Sequence, residues 1–532
     1  MSAGAPSLPA ALPLPAVSPT QRRRGGRLLL AVACLAMAAV LGGAIAFAES
    51  PLPFLLGSVL LFAGGVLIAN PRLSILLFLF IFYTNVPVVA MHFHGVPTVV
   101  AAMSPVLIGL PAVGYVLIRR QEVVLTRVFP LMIAFLGAQM LSSLLSADVR
   151  ASAAWMGIYV AEGMLLFILV VNAIRTPEMV RWAIAVLLLA GTLMGGLSLF
   201  QEVTGTYENY YGGFAQSGEA SDEEVVEEGL RPRLGGPIGS KNRYAQIMIV
   251  LLPLAAFAFL STRSRWLRAA TVVAGFLILT GMLLTFSRGA AVAFVGVVGL
   301  AVLMRHIRLK HALALTLVAA ISVPLVAPEF VERLETLTGV AGLVSDSGED
   351  PDGAILGRAT SNVAALVTFF ENPIVGVGPG RYFVEYSQDV ANDLGMRHFG
   401  TSRRGHNLYA EMAADLGLLG LSLFLAIIVV TWVGLSRTRA YWRSRRAEYA
   451  NWASAFQLSL AAYLMSGIFL HLSYARYLWL LVALANVTVW ILAKERERAE
   501  AAEPAPERSP VTGSGALPSL AGAPAAGVTH RP

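Results

Sequence analysis

The segment most suited to chemistry is His406-Asn407-Leu408-Tyr409-Ala410-Glu411-Met412-Ala413-Ala414-Asp415-Leu416-Gly417-Leu418-Leu419-Gly420. Helical spacing puts Asn407, Glu411 and Asp415 on one face at i, i+4 and i+8, so a polar stripe runs into an apolar helix directly after a histidine. Such a stripe needs water or protein around it, and an imidazole at its head can take a proton from a hydroxyl near neutral pH. The plainer alternative is an interfacial histidine that caps or anchors the helix. A second signal is Thr285-Phe286-Ser287-Arg288-Gly289, which interrupts the apolar stretch 269–304. An arginine near membrane depth costs roughly 3 kcal/mol unless paired or wetted, which points to contact with an anion. Guanidinium suits phosphate because its planar fork grips two oxygens at once. Here the alternative is a tight hairpin whose arginine reaches the headgroups.

Three further arginines could join these groups. Arg233 precedes the turn Gly235-Gly236-Pro237-Ile238-Gly239-Ser240-Lys241-Asn242, Arg358 opens an amphipathic stretch, and Arg381 follows Gly376-Val377-Gly378-Pro379-Gly380. Glycine-rich turns let backbone amides approach phosphate, although the strand and helix context of a nucleotide fold is missing. Taken singly, each arginine has an equally good structural or solvated reading. There are no clustered His or Cys ligands and no acidic metal motif. The expectation is therefore no metal and no cofactor, with arginines stabilising any departing phosphate.

The elements that must position these residues are transmembrane helices. Of 532 residues, 56% are hydrophobic and 13% charged, where a soluble chain would have roughly 25% charged, so a water-soluble fold is not expected. The formal charge of +7 is spread in small clusters between apolar runs, which is a topology signal and not a nucleic-acid surface. Cys34 is the single cysteine, which rules out a disulfide framework. Runs long enough to span occur near 28–47, 52–69, 73–90, 100–118, 128–146, 156–172, 181–200, 244–260, 269–285, 290–304, 312–327, 416–434, 453–472 and 477–493. The expected fold class is thus all-α, a polytopic membrane protein with about fourteen transmembrane helices. Ala46 and Ala48 mimic a signal-peptidase site, but the run before them is long for a signal sequence and is expected to be retained.

With the basic arm Arg22, Arg23, Arg24 and Arg27 inside, most Lys and Arg fall on predicted inner segments. The outer ones, apart from the long loop before His406, hold Arg150, Arg231, Arg233, Lys241, Arg243, Arg288 and Arg476. The positive-inside rule then places both termini inside. The expected organisation is a disordered cytoplasmic tail over 1–27 and N-terminal transmembrane helices over 28–327, with an outer loop at 201–243. A large outer loop over 328–405, C-terminal transmembrane helices over 406–493 and a disordered tail over 494–532 complete it. The first loop holds an acidic run at Asp222, Glu223, Glu224, Glu227 and Glu228, read as solvated surface. In the second, Val363, Leu366, Val367 and Phe370 share a helical face stopped by Asn372 and Pro373, which suits a helix lying on the membrane surface as a lid or platform.

Parity of the helix count puts His406, Arg233, Arg288, Arg358 and Arg381 on the outer side. Nucleotide sugars and ATP are cytoplasmic, so a transferase facing outward needs a donor already carried across on lipid. A polyprenyl-diphosphate sugar fits: its chain stays in the bilayer, the diphosphate meets the arginines, and the sugar projects into the loop chamber.

At this point the residues resemble the O-antigen ligase/Wzy-type polymerase family, with lipopolysaccharide O-antigen ligases closest in motif. The ligase-type pattern of His, then Asn, Ser or Gln, nine residues, Gly, two residues and Gly is met by His406, Asn407, Gly417 and Gly420. Ser287-Arg288-Gly289 looks like the family's Ser-Arg-Gly signature, and Pro373-Ile374-Val375-Gly376-Val377-Gly378 like its Pro-x-x-Gly-x-Gly stretch. The likeness covers about 230–430; the outer helices match only in hydropathy. It implies a GT-C-like membrane glycosyltransferase with a large periplasmic loop in the bacterial inner membrane, making a metal-independent, inverting transfer from undecaprenyl diphosphate. By that carry-over His406 is the general base, and Arg288 and Arg233, with Arg358 beside them, bind the donor diphosphate. The Gly239-Ser240-Lys241-Asn242 stretch is only a loose match to the family's Asn-containing turn, and fourteen spans exceed the commoner twelve.

The implied partners are an undecaprenyl-diphosphate-linked glycan donor, membrane lipids, and as acceptor either lipid A core or another lipid-linked repeat, with no nucleic acid. The first acceptor makes the protein a ligase and the second a polymerase of O-antigen or exopolysaccharide. A lipid-linked oligosaccharide flippase is the alternative of another class, disfavoured because the sequence has no half-to-half repeat. A membrane scaffold is the third, disfavoured by the polar stripe and Arg288 together.

Overall fold

The computed structural model describes residues 64–217 (except 68), 232–313 (except 311), 317, 353–383, 387–393, 406–471 and 475–502. The runs expected at 28–47 and 312–327, most of that at 52–69, the acidic run 222–228, the 1–27 tail and the chain beyond 502 lie largely or wholly outside the described residues. In chain order the helices are α1 (Pro71–Tyr83), α2 (Val86–His94), α3 (Val106–Ile118), α4 (Phe129–Leu144), α5 (Val149–Ala173) and α6 (Pro177–Thr204). A two-stranded antiparallel ladder of β1 (Gln216–Ser217) and β2 (Leu234–Gly236) follows. Then come α7 (Lys241–Ser261), α8 (Arg265–Leu283), α9 (Arg288–Leu303), α10 (Gly353–Glu371), α11 (Leu408–Trp442), α12 (Ala447–Phe469) and α13 (Arg476–Ala502). The chain divides into a large unit ending at Leu492 and a C-terminal unit from Ala493. In the latter, the described turns of α13 carry the pairs Arg496–Glu500 and Arg498–Glu495.

Seven helices (α5, α6, α7, α8, α11, α12 and α13) are long and apolar enough to cross a membrane, and α1 with α2 makes an eighth span bent by 59°. The shorter α3, α4 and α9 are apolar as well. Each of the eleven expected runs that falls within the described residues therefore coincides with an apolar helix, while seven or eight of these pass the length test for a full span. Their surfaces are those of a protein in lipid. On α6, Ala183, Leu187, Ala190 and Met194 face inward, whereas Leu189, Leu193 and Phe200 are about half exposed, an apolar outer face that water would penalise.

Helix ends follow local chemistry. Thr176 caps α6 through its hydroxyl, with Pro177 and Glu178 in the first turn, and Gly205 ends it in the left-handed conformation. Asp148 caps α5 through the Ala151 N–H. Between helices, lipid gives no hydrophobic drive, so close packing and polar bridges supply the cohesion. Ser459 donates to the Val250 carbonyl, Tyr83 to the Ile247 carbonyl and Asn486 to Thr431. At the α6–α8 crossing, Gly195 lies against the Leu277 carbonyl, and a Cβ on Gly281 would sit 2.9 Å from the Gly195 Cα. The two backbones touch there, and a side chain would force them apart. Gly195→Val is expected to lower the thermal unfolding temperature in detergent and cost about 1–3 kcal/mol or prevent insertion; unchanged unfolding would show that this crossing does not depend on the contact.

Candidate active site

The turn carrying Arg288 is held from outside. Phe286 adopts φ 51°, an unfavourable conformation for a bulky residue that must be held by its surroundings. Arg233 supplies the clamp: Nε donates to the Thr285 carbonyl at 2.9 Å, and Nη2 to the Phe286 carbonyl at 3.2 Å and Asn242 Oδ1 at 3.3 Å. The Leu234 N–H adds a bond to the Leu284 carbonyl at 3.2 Å. Arg288, half-buried, is then the first residue of α9 after Ser287. The glycine-rich turn beside it is pinned by Asn85, which donates to the Pro237 carbonyl at 2.8 Å and accepts from Arg476 at 2.6 Å.

The histidine motif and the Pro-x-x-Gly-x-Gly stretch are two halves of one joint. Asn407 caps α11, its Oδ1 accepting from the Tyr409 and Ala410 N–H groups. The helix breaks at Gly417 (φ 61°, ψ −165°), a conformation open essentially to glycine alone. Segment 373–378 docks into the break: Leu418 and Leu419 donate to the Pro373 and Ile374 carbonyls, and Val377 and Gly378 donate to the Ala414 and Asp415 carbonyls. A Cβ on Gly376 or on Gly417 would collide with the backbone of the other half. The Asp415 carboxylate accepts the Gly380 and Tyr382 N–H groups, both at 2.9 Å. Burial, with the nearby Glu411 and Asp415 charges, pushes the Tyr382 phenol well up.

Arg381, almost fully buried, lies 3.7 Å from Asp148. The Ala151 N–H first, and Arg381 less strongly, hold the Asp148 carboxyl below its usual range. On α10, Ala364, Ala365 and Thr368 are buried while Val363, Leu366 and Phe370 face outward; Val367 turns partly into the cluster around Tyr382.

His406 stands immediately before this joint and meets a group that the motifs did not single out. Its ring is edge-on to His471, with centroids 6.1 Å apart. Arg243, 2% exposed, donates from Nη2 to His471 Nδ1 at 3.0 Å and also to the His471 carbonyl. From Nη1 it donates to Gln246 Oε1 at 2.8 Å, and Gln246 in turn donates to the Tyr463 carbonyl. Gln246 and Asn242 line a narrow cleft with Ser287, Gly289 and Arg358. The structure therefore gathers His406, Arg358, the two neighbours of Arg288 and the Asn242 partner of Arg233 around one end of the bundle. Asn407 and Asp415 serve the backbone of the joint, and Glu411 is buried beside them. Arg243, just before the apolar run 244–260, reads in the sequence only as a topology charge, and His471, just past the end of α12, carries no motif.

Fold and site together define a multi-pass membrane protein with a narrow cleft at one end of its helices and arginines and histidines gathered around it. Residues 273–425 match the family model described as O-antigen ligase, a stretch that contains Arg288, Arg358, His406 and both halves of the joint. That stretch is therefore similar to an O-antigen ligase domain, and the match leaves the helices on either side of it uncovered. No curated protein matches it.

The Arg243 contact has a checkable corollary. A guanidinium only donates, so His471 Nδ1 must accept and its proton must sit on Nε2. In ¹⁵N-histidine-labelled protein, the signal removed by His471→Gln is expected to be that of a neutral ring protonated at Nε2; a ring protonated at Nδ1 would contradict this geometry.

Proposed function

We propose that the protein is a glycosyltransferase that moves a glycan from undecaprenyl diphosphate to an acceptor sugar hydroxyl at the periplasmic face of the bacterial inner membrane. It acts in this reading as an O-antigen ligase, with lipid A core as acceptor. The observation that carries the reading is that Arg358 and the Arg288 turn share one cleft, to which His406 is linked through His471, Arg243 and Gln246, with Arg288, Arg358 and His406 all in the stretch that matches O-antigen ligase.

In the proposed reaction His406 takes the proton of the acceptor hydroxyl as that oxygen attacks the anomeric carbon of the donor sugar. The bond from that carbon to the diphosphate oxygen breaks on the opposite face, which inverts the anomeric centre. Undecaprenyl diphosphate leaves with its electron pair, and Arg288 and Arg358 meet the developing charge. The charge that a leaving diphosphate requires is supplied by guanidinium, so the reaction is written without a metal. Arg233 contributes by fixing the Thr285–Phe286 turn, and with it the position of Arg288. The buried Arg243 orients His471 beside the base.

Donor chemistry is shared between ligase and polymerase, and the acceptor separates them. Deleting the gene in its host should strand long polymer on polyprenyl diphosphate and leave lipid A core bare. Loss of polymer with single repeats still reaching the core would replace the ligase reading by the polymerase one. Complementation with His406→Ala is expected to lower turnover by about 10²–10⁴ while the protein still folds; wild-type activity would remove His406 from the role of base. Arg288→Lys keeps the charge and loses the fork, and should weaken donor use measurably. Normal turnover in that variant would count against a bidentate phosphate contact.

A further inference from the structure

A second basic site lies at the far end of the helices. α6 begins at Thr176 and ends next to the Gln216–Gly236 ladder beside the cleft, a length of about 42 Å for its run of residues. α1 likewise runs from Asn70 to the Asn85 break that contacts Pro237. At the end away from the cleft, the starts of α1 and α6 and the end of α3 enclose an open cavity of about 410 Å³. Its wall carries Arg72, Arg119 and Arg175, with Asn70, Gln121 and Thr176, and among the described residues lining it there is no carboxylate.

The three guanidinium groups are arranged in different ways. Arg175 is built in: Nε donates to the Asn172 carbonyl, Nη1 to the Glu122 carbonyl and Nη2 to Asn172 Oδ1, and its guanidinium lies 6.0 Å from the Trp490 ring. Arg119 stacks on Tyr115 at 5.0 Å, and Arg72 reaches Glu178 at 3.3 Å across a half-exposed surface. Next to the cavity the surface turns apolar, with Leu73, Leu117 and Ile118 exposed at 49%, 69% and 83%.

We infer that this cavity binds the headgroup of an anionic phospholipid, with the phosphate between Arg72, Arg119 and Arg175 and the acyl chains along the Leu73, Leu117 and Ile118 surface. A basic pocket between transmembrane helices suits an anionic headgroup, and two helix starts add favourable partial charge. The adjoining apolar surface selects a lipid over free phosphate, which would gain nothing from it. The inference is independent of the glycosyltransferase reading.

Native mass spectrometry of the full chain in detergent, titrated with phosphatidylglycerol or phosphatidylethanolamine, tests it. Wild type should prefer phosphatidylglycerol, and Arg72→Gln with Arg119→Gln should weaken that binding about tenfold or more. Arg119→Gln alone, a change on the cavity rim, should give an intermediate loss. Arg263→Gln with Arg265→Gln, two exposed charges in the α7–α8 loop and at the first residue of α8 at the same end, should have no effect. Equal retention of phosphatidylglycerol by wild type and the cavity variants overturns the site. Displacement of the lipid by millimolar inorganic phosphate overturns the lipid assignment in favour of a soluble phosphate.

Discussion

The site depends on the joint between the break at Gly417 and the segment that enters it from Pro373 to Tyr382. In a low-dielectric setting an unsatisfied backbone group costs several kcal/mol, so a helix cannot be interrupted unless something returns to complete it. Here the return is made by backbone of the preceding segment, with the Asp415 carboxylate holding its Gly380 and Tyr382 N–H groups. The fit requires glycine on both sides, at Gly376 and Gly417. Because Asn407 caps the same short helical piece, His406 is fixed in relation to the joint and not left on a loose loop.

The second support is a set of arginines that hold backbone. Arg233 spans two carbonyls of the turn before Arg288, Arg243 fixes a histidine and a glutamine, and Arg476 ties Asn85, and through it Pro237, to the start of α13. Buried or half-buried arginines of this kind are costly unless bonded, and once bonded they make a polar region rigid. In the proposed reading a further arginine, Arg358, lines the cleft and supplies charge for a diphosphate. In this arrangement one residue type provides both scaffold and electrostatics.

Much of this was legible in the sequence because membrane helices are written in plain hydropathy. The runs at 181–200 and 244–260 reappear as parts of α6 and α7, and the interruption at Arg288 reappears as a turn between two helices. Spacing alone placed Asn407, Glu411 and Asp415 on one face, and it could not say what meets that face. The partner of Asp415 comes from some 35 positions earlier, where only a glycine pattern marked it. Arg243 and His471 lie at the ends of apolar runs, where a polar residue is equally well explained by topology. Their pairing across 228 positions has no local signature. The amphipathic stretch from Arg358 to the stop at Asn372 is readable as such, yet its small residues, Ala364 and Ala365, do the inward packing.

The most direct measurement is reconstitution of the purified full chain in proteoliposomes with a polyprenyl-diphosphate-linked glycan and lipid A core, following both lipids by mass spectrometry. The expected result is glycan joined to the core with one polyprenyl diphosphate released per transfer, and almost none of either with His406→Ala. Movement of the intact donor across the bilayer, with its sugar–phosphate bond unbroken and no joined product, would contradict a transferase and assign the cleft to transport.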